Sequence, residues 1–337
     1  MDAEFTLVVA ALQRLAGRLA ADGRAVEAVL RLSGGASQQI WAFDVAAAGA
    51  RSVQPMVLRR AADDSAARVY GSAGLGVEAR LIEAARAAGV PVPGVRYVLH
   101  PDDGLGEGFV MDRIEGETLG RRIVRDARLA GTRRVLARQC GAAMARMHRL
   151  GACGLPPLRL AAARAELDFQ MALHRSHDTA RPVFEWALRW LREHAPADVT
   201  VPVLVHGDFR NGNLIVGAEG LRAVLDWELA HLGDPMEDLG WMCVRSWRYG
   251  HDALPVGGFG TREQLFEGYA AEGGQVDAER VHWWEVLGTL KWGVICEAMA
   301  DARLNGRQRE IEKAVIGRRA SEAEFDLLAL LAPEEDA

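Results

Sequence analysis

Three hard oxygen donors stand at short, ordered spacing in Val203-Leu204-Val205-His206-Gly207-Asp208-Phe209-Arg210-Asn211-Gly212-Asn213-Leu214-Ile215-Val216, continued by Ala223-Val224-Leu225-Asp226-Trp227-Glu228. Phosphoryl transfer needs one carboxylate to orient an attacking hydroxyl and accept its proton, and a few oxygen ligands to hold Mg²⁺ against the phosphates. Asp208 suits the first role; Asn213 and Asp226 suit the second. Each alone could be a turn residue satisfying nearby backbone groups. Flanking apolar strands and the downstream Gly233-Asp234-Pro235 favour a site over three unrelated turns. A metal hydrolase built on His206 is a weaker reading, because no second histidine stands at H-x-x-x-H spacing.

These residues need strands that end at a cleft. The apolar runs 203–205, 214–216 and 221–225 read as short strands joined by polar turns, which places Asp208, Asn213 and Asp226 on loops anchored in the core. Upstream, Leu12, Leu15 and Leu19 mark a helix, followed by strand patterns at 26–30, 40–45 and 55–59. Residues 75–88 have helical spacing, stopped by Gly89-Val90-Pro91-Val92-Pro93, and two more strands are predicted at 95–99 and 108–112. After Glu117 the pattern turns helical, at 133–150, 160–175, 181–193, 262–272, 279–303 and 307–331. The expectation is an α+β chain: a small β-rich part with one main helix, then a larger, mostly α-helical part.

With 337 residues and half of them hydrophobic, the chain can bury two cores. Its net charge of −6 argues against a partner that is nucleic acid. No run approaches the roughly 18 apolar residues of a membrane span, and the start lacks a signal-peptide pattern, so a cytoplasmic, membrane-free protein is expected. Cys140, Cys153, Cys243 and Cys296 show no C-x-x-C spacing. Of the 40 basic residues only Lys291 and Lys313 are lysines.

His206-Gly207-Asp208 with Asn213, Leu225-Asp226-Trp227-Glu228 and Gly233-Asp234-Pro235 with Asp238-Leu239 resembles the aminoglycoside phosphotransferase family of protein-kinase-like enzymes. Val57-Leu58-Arg59-Arg60 and Gly89-Val90-Pro91-Val92-Pro93 look like the kinase-like domains associated with acyl-CoA dehydrogenases. The resemblance implies a bilobal protein-kinase-like fold: an N-lobe over 1–112, a hinge over 113–117 and a C-lobe over 118–337. It also implies a kinase that uses ATP or GTP with Mg²⁺ and phosphorylates a hydroxyl of a small-molecule acceptor.

By the same resemblance, Gly34, Gly35 and Ser37 match the loop over the phosphates, Glu78 matches the glutamate that pairs with the phosphate-binding cation, and Met111, Asp112 and Ile114 match the base-binding hinge. His206 then braces the catalytic loop, and Asp234 and Asp238 scaffold it. The family's usual lysine is replaced by Arg59, as in the acyl-CoA-dehydrogenase-associated relatives, and no lysine precedes Lys291. A weak or degenerate nucleotide-binding protein and an antibiotic phosphotransferase are the alternatives. His148 reads as a helix-end residue, and Trp283, Trp284, Glu285 and Trp292 are candidates for the acceptor pocket.

Overall fold

The computed structural model describes residues 3–20, 23–32, 38–47, 53–61, 72–177, 179–306 and 311–332. Helix α1 (Ala3–Leu19) leads into strands β1 (Gly23–Leu32), β2 (Gln38–Ala47) and β3 (Val53–Ala61), then helix α2 (Leu75–Ala87) and strands β4 (Val95–Val98) and β5 (Gly108–Asp112). The strands form one antiparallel sheet in the order β1-β2-β3-β5-β4.

Strand periodicity sorts this sheet into two faces. Trp41, Phe43 and Val45 of β2, Met56 and Leu58 of β3 and Val110 of β5 pack with Leu12, Leu15 and Leu19 of α1 in one core. Val57, Phe109 and Met111 point the other way and join the main core, which carries Arg59 to the same face as Val57.

The second part contains α3 (Gly120–Arg125), α4 (Ala130–His148), β6 (Leu160–Ala161), α5 (Ala163–Arg175), α6 (Pro182–Glu193), β7 (Val203–Val205), β8 (Leu214–Gly217), β9 (Gly220–Val224) and β10 (His231–Gly233). It ends with α7 (Met236–Cys243), α8 (Arg262–Ala271), α9 (Ala278–Leu304), α10 (Ile311–Gly317) and α11 (Ala320–Leu331). β8 and β9 form a hairpin, and β6, β10 and β7 a small sheet. This is the expected α+β, protein-kinase-like architecture. The stretch between the two parts is tied down: Glu117 exchanges backbone hydrogen bonds with Val216 of β8, at 2.8 and 3.0 Å.

Two helical expectations need correction. Residues 160–161 are a strand, because Leu160 and Ala161 pair in parallel with Leu232 and Gly233 of β10. The last predicted helix divides into α10 and α11, and residues 307–310 of it lie outside the described residues.

Candidate active site

The loop from His206 to Asn213 leaves β7 and enters β8, and its course is set by buried hydrogen bonds. Gly207 takes φ = 76°, and a Cβ there would sit 2.6 Å from the Leu229 carbonyl oxygen, so glycine is required. Asp238, fully buried near the start of α7, accepts the backbone N–H of His206 at 2.8 Å and of Gly207 at 3.0 Å. His148 donates to the same carboxylate across 3.1 Å, while its other nitrogen meets the Tyr269 hydroxyl at 3.0 Å. This corrects the helix-end reading: His148 links α4 and α8 to the loop. Burial alone would raise Asp238, but the bonds and charges of His148 and His206 outweigh it and pull its pKa below the ordinary carboxylate value.

His206 has both ring nitrogens engaged. Nδ1 accepts the Asp208 N–H at 3.2 Å, which makes Nε2 the protonated nitrogen that donates to the Leu225 carbonyl at 3.1 Å. Burial lowers its pKa, against the pull of Asp238, Asp208 and Asp226. A neutral imidazole therefore ties the Asp208 loop to the strand end that carries Asp226.

The Asp208 carboxylate receives Arg210 Nε at 2.9 and 3.2 Å, Asn213 Nδ2 at 2.6 Å and Trp241 Nε1 at 2.8 Å. These donors fix its orientation. Nothing local in the sequence signals the Arg210 and Trp241 contacts; Trp241 lies 33 residues away, on helix α7. Asn213 spends its side-chain N–H on Asp208, which leaves its side-chain oxygen Oδ1 available as a metal ligand. The Leu225 N–H bonds to the backbone carbonyl of Asn213 at 2.8 Å, pinning the Asp226 strand end beside Asn213. Asp226 itself takes a left-handed conformation, φ = 67°, so the chain turns sharply there.

On the opposing sheet, Arg59 reaches across to the same point. Its Nη2 is 2.5 Å from Asp226 Oδ1, its Nε lies 3.4 Å from Glu78 Oε2, and it also donates to Gln38. Glu78, 1 % exposed, accepts the Trp227 N–H at 3.2 Å through its other oxygen. Burial drives Glu78 up; Arg59 opposes this, Asp226 and Glu228 add to it, and the result is a pKa of about 7. Burial would lower Arg59, but Glu78 and Asp226 overcome that and keep it firmly charged.

Arg59, Glu78, Met111, Asp112, Ile114, Asn213 and Asp226 all line one cleft of about 430 Å³ between the sheet and the β8–β9 hairpin, walled by Val57, Ile82, Phe109, Ile215 and Val224. The Asp112 side chain pairs with Arg96 at 2.6 Å. Asp208 is not among the residues lining this cleft; it connects to it through Asn213. Gly34, Gly35 and Ser37 lie outside the described residues.

Mg²⁺ typically takes one or two protein oxygens and keeps water and phosphate for the rest. The free side-chain oxygen of Asn213 and the carboxylate of Asp226, juxtaposed by the Leu225–Asn213 bond, fit that donor set. Among the described residues no group of three or more histidine, cysteine, aspartate or glutamate side chains forms an all-protein metal cage. No helix among them is long and apolar enough to cross a membrane.

Trp283 and Trp284 pack in the core, donating to the Leu191 carbonyl and to Asp234, and Glu285 is buried between Arg248 and Arg262. Of the four pocket candidates, Trp292 alone stands beside Trp247 and, through it, near Asp208.

A protein from Ralstonia eutropha JMP134, a candidate aminoglycoside phosphotransferase, has a similar structure: TM-score 0.73, 19 % identity, and 98 % of each chain covered. The aminoglycoside phosphotransferase APH(4)-Ia, in ternary complex with AMP-PNP and hygromycin B, aligns over 98 % of this chain and 100 % of its own at TM-score 0.63 and 19 % identity. In sequence, 74 residues are 43 % identical to mouse acyl-CoA dehydrogenase family member 10, which is 21 % of this chain but only 7 % of that protein. The phosphotransferase enzyme family matches residues 28–274, well over half of the chain, and the chain belongs to that family.

Proposed function

We propose that this phosphotransferase moves the γ-phosphoryl group of ATP or GTP to a hydroxyl of a small metabolite, with Asp208 as the proton acceptor. The observation that carries this reading is the fixed Asp208 carboxylate, linked through Asn213 to a cleft lined by Arg59 and Asp226. The acceptor oxygen attacks the γ-phosphorus, the new O–P bond forms, the bond to the nucleoside diphosphate breaks, and the hydroxyl proton passes to Asp208. Arg59, held by Glu78, faces the phosphates, and residues 113–117 carry the base between an N-lobe (1–112) and a C-lobe (118–337). Asn213 and Asp226 would hold Mg²⁺, which when bound neutralises charge on the phosphates.

A hydroxylated metabolite, of hydroxyacyl type, fits better than an aminoglycoside. A polycation needs converging carboxylates, whereas the side chains that contact Asp208 are Arg210, Asn213 and Trp241. The matched acyl-CoA dehydrogenase relative leans the same way. A second reading, a nucleotide binder with little turnover, draws on one observation: Arg59 already occupies an oxygen of Asp226.

The deciding measurement is acceptor-dependent release of ADP or GDP over a panel of hydroxylated metabolites, alongside Asp208→Asn. Loss of proton acceptance should slow transfer by about 10²- to 10⁴-fold with nucleotide affinity nearly intact. Release that no acceptor stimulates, or that survives Asp208→Asn, overturns the reading.

A further inference from the structure

Helix α7 grips the Asp208 loop at two points one turn apart. Asp238 accepts the backbone N–H groups of His206 and Gly207, and Trp241, three residues on and so on the same face of the helix, donates its indole N–H to Asp208 Oδ1 at 2.8 Å. The helix itself is firmly seated. A Cβ on Gly240 would lie 2.8 Å from the Val281 carbonyl oxygen, so α7 rests directly against the backbone of α9. The Trp241 side chain is buried, with the Trp247 ring 5.2 Å away between centroids and Lys291 Nζ 4.9 Å from its centre. Arg210, the other donor to Oδ1, has a longer and more flexible side chain that is 25 % exposed. Trp241 is therefore the rigid donor of the two.

The two oxygens of Asp208 are not equivalent. An ionised carboxylate offers about two lone-pair sites on each oxygen. On Oδ1 both are taken, by Trp241 Nε1 at 2.8 Å and by Arg210 Nε at 2.9 Å. On Oδ2 one is taken by Asn213 Nδ2 at 2.6 Å, and only the longer branch of the Arg210 bond, at 3.2 Å, reaches the other. Oδ2 thus has room for a further donor. It is also the oxygen bonded to Asn213, which lines the nucleotide cleft.

We infer that Oδ2 is the atom of Asp208 that takes the proton of the acceptor hydroxyl, and that Trp241 is a positioning residue: by occupying Oδ1 it stops the carboxylate from turning and keeps Oδ2 directed to the cleft. In the step, the acceptor O–H bond breaks, its proton bonds to Oδ2, the acceptor oxygen bonds to the γ-phosphorus, and the bond from that phosphorus to the nucleoside diphosphate breaks with its electron pair. The indole keeps its own proton throughout, because indole N–H is a donor only. This inference rests on the reading of Asp208 as the transfer site and adds which oxygen acts and what aims it.

Two replacements in the full chain test it. Trp241→Phe keeps an aromatic ring and removes the donor; β-(3-benzothienyl)alanine at position 241 keeps the two-ring shape and puts sulfur in place of the N–H. Both should slow acceptor-dependent release of ADP or GDP at saturating nucleotide by about 10- to 10²-fold, the range for a lost hydrogen bond to a charged group. Calorimetric affinity for magnesium–AMP-PNP should change by less than about threefold, which also shows that the variants are folded. Unchanged release in both variants, a loss confined to the Phe variant, or an equal loss of AMP-PNP affinity overturns the positioning role. A second readout needs neither acceptor nor nucleotide: the Trp241 indole resonance in a proton–nitrogen correlation spectrum, identified by its disappearance in Trp241→Phe, should shift in Asp208→Ala, which removes its hydrogen-bond acceptor. A resonance that stays in place overturns the inference. Release that survives Asp208→Asn while the indole resonance shifts in Asp208→Ala instead marks failure of the transfer reading, with the hydrogen bond intact.

Discussion

Glu78 and Asp238 are both carboxylates buried beside the proposed site, yet their surroundings treat them in opposite ways. Asp238 has donors on both oxygens, two backbone N–H groups and an imidazole, and its pKa falls. Glu78 has one oxygen on the Trp227 N–H and the other without a hydrogen bond, shares Arg59 with Asp226, and rises to about 7. The first network is complete within the protein. The second holds two acids, with Glu228 nearby, against one guanidinium, an arrangement that additional positive charge would relieve. A scaffold should be satisfied before any ligand arrives; a binding site for a metal–nucleotide complex should not.

The largest effect should come from opening the satisfied network. Asp238→Ala strands two buried N–H groups and the His148 donor, and uncompensated buried donors cost about 1 to 3 kcal/mol each. A loss of roughly 3 kcal/mol or more is expected in the denaturant midpoint, with transfer activity falling because Asp208 is no longer aimed. A loss under about 1 kcal/mol would show that the loop is not held this way.

The unsatisfied carboxylate predicts the reverse. A carboxyl whose folded pKa is raised from 4.5 to about 7 binds more protons folded than unfolded between those values, so its contribution to stability falls as pH rises through that window. Glu78→Gln imitates the protonated form. Its stability should match the wild type near pH 4.5 and exceed it above pH 7, on the order of 3 kcal/mol at the plateau, without nucleotide. Thermal melts across pH read this directly; curves that stay parallel would remove the contrast between the two acids.

That contrast was only partly legible in the sequence. Local signals carried much: β5 and β7 were placed at their observed ends, and Asp208, Asn213 and Asp226 were named because turn residues after apolar strands are local features. Arg59 and Glu78 were expected to pair, and they stand 3.4 Å apart. The third partner, Asp226, was not foreseen, since it lies 167 residues from Arg59 and joins it only when the two parts close on each other. His148 was misread for the same reason: its partners are 90 and 121 residues distant. Strand β6 falls inside a stretch with helical pattern because two residues carry no period of their own, and only pairing with β10 makes them a strand.

Arg59→Lys is the smallest and most specific change. A guanidinium presents a planar fork that reaches Asp226, Glu78 and Gln38 together, whereas an ammonium is a compact point charge on a different stem. Lysine can keep one of these partners well, and either choice leaves the other acid with less compensation. Because Arg59 is about nine-tenths buried, the loss is not screened away, and about 1 kcal/mol of stability without nucleotide is expected. Charge toward the phosphates is retained, so affinity for the magnesium–nucleotide complex should change less than about tenfold, roughly 1.4 kcal/mol. Paired denaturation and calorimetry separate the two effects. If Arg59→Lys leaves stability unchanged and abolishes nucleotide binding, the fork serves the phosphates alone and its bonds to Asp226 and Glu78 are incidental.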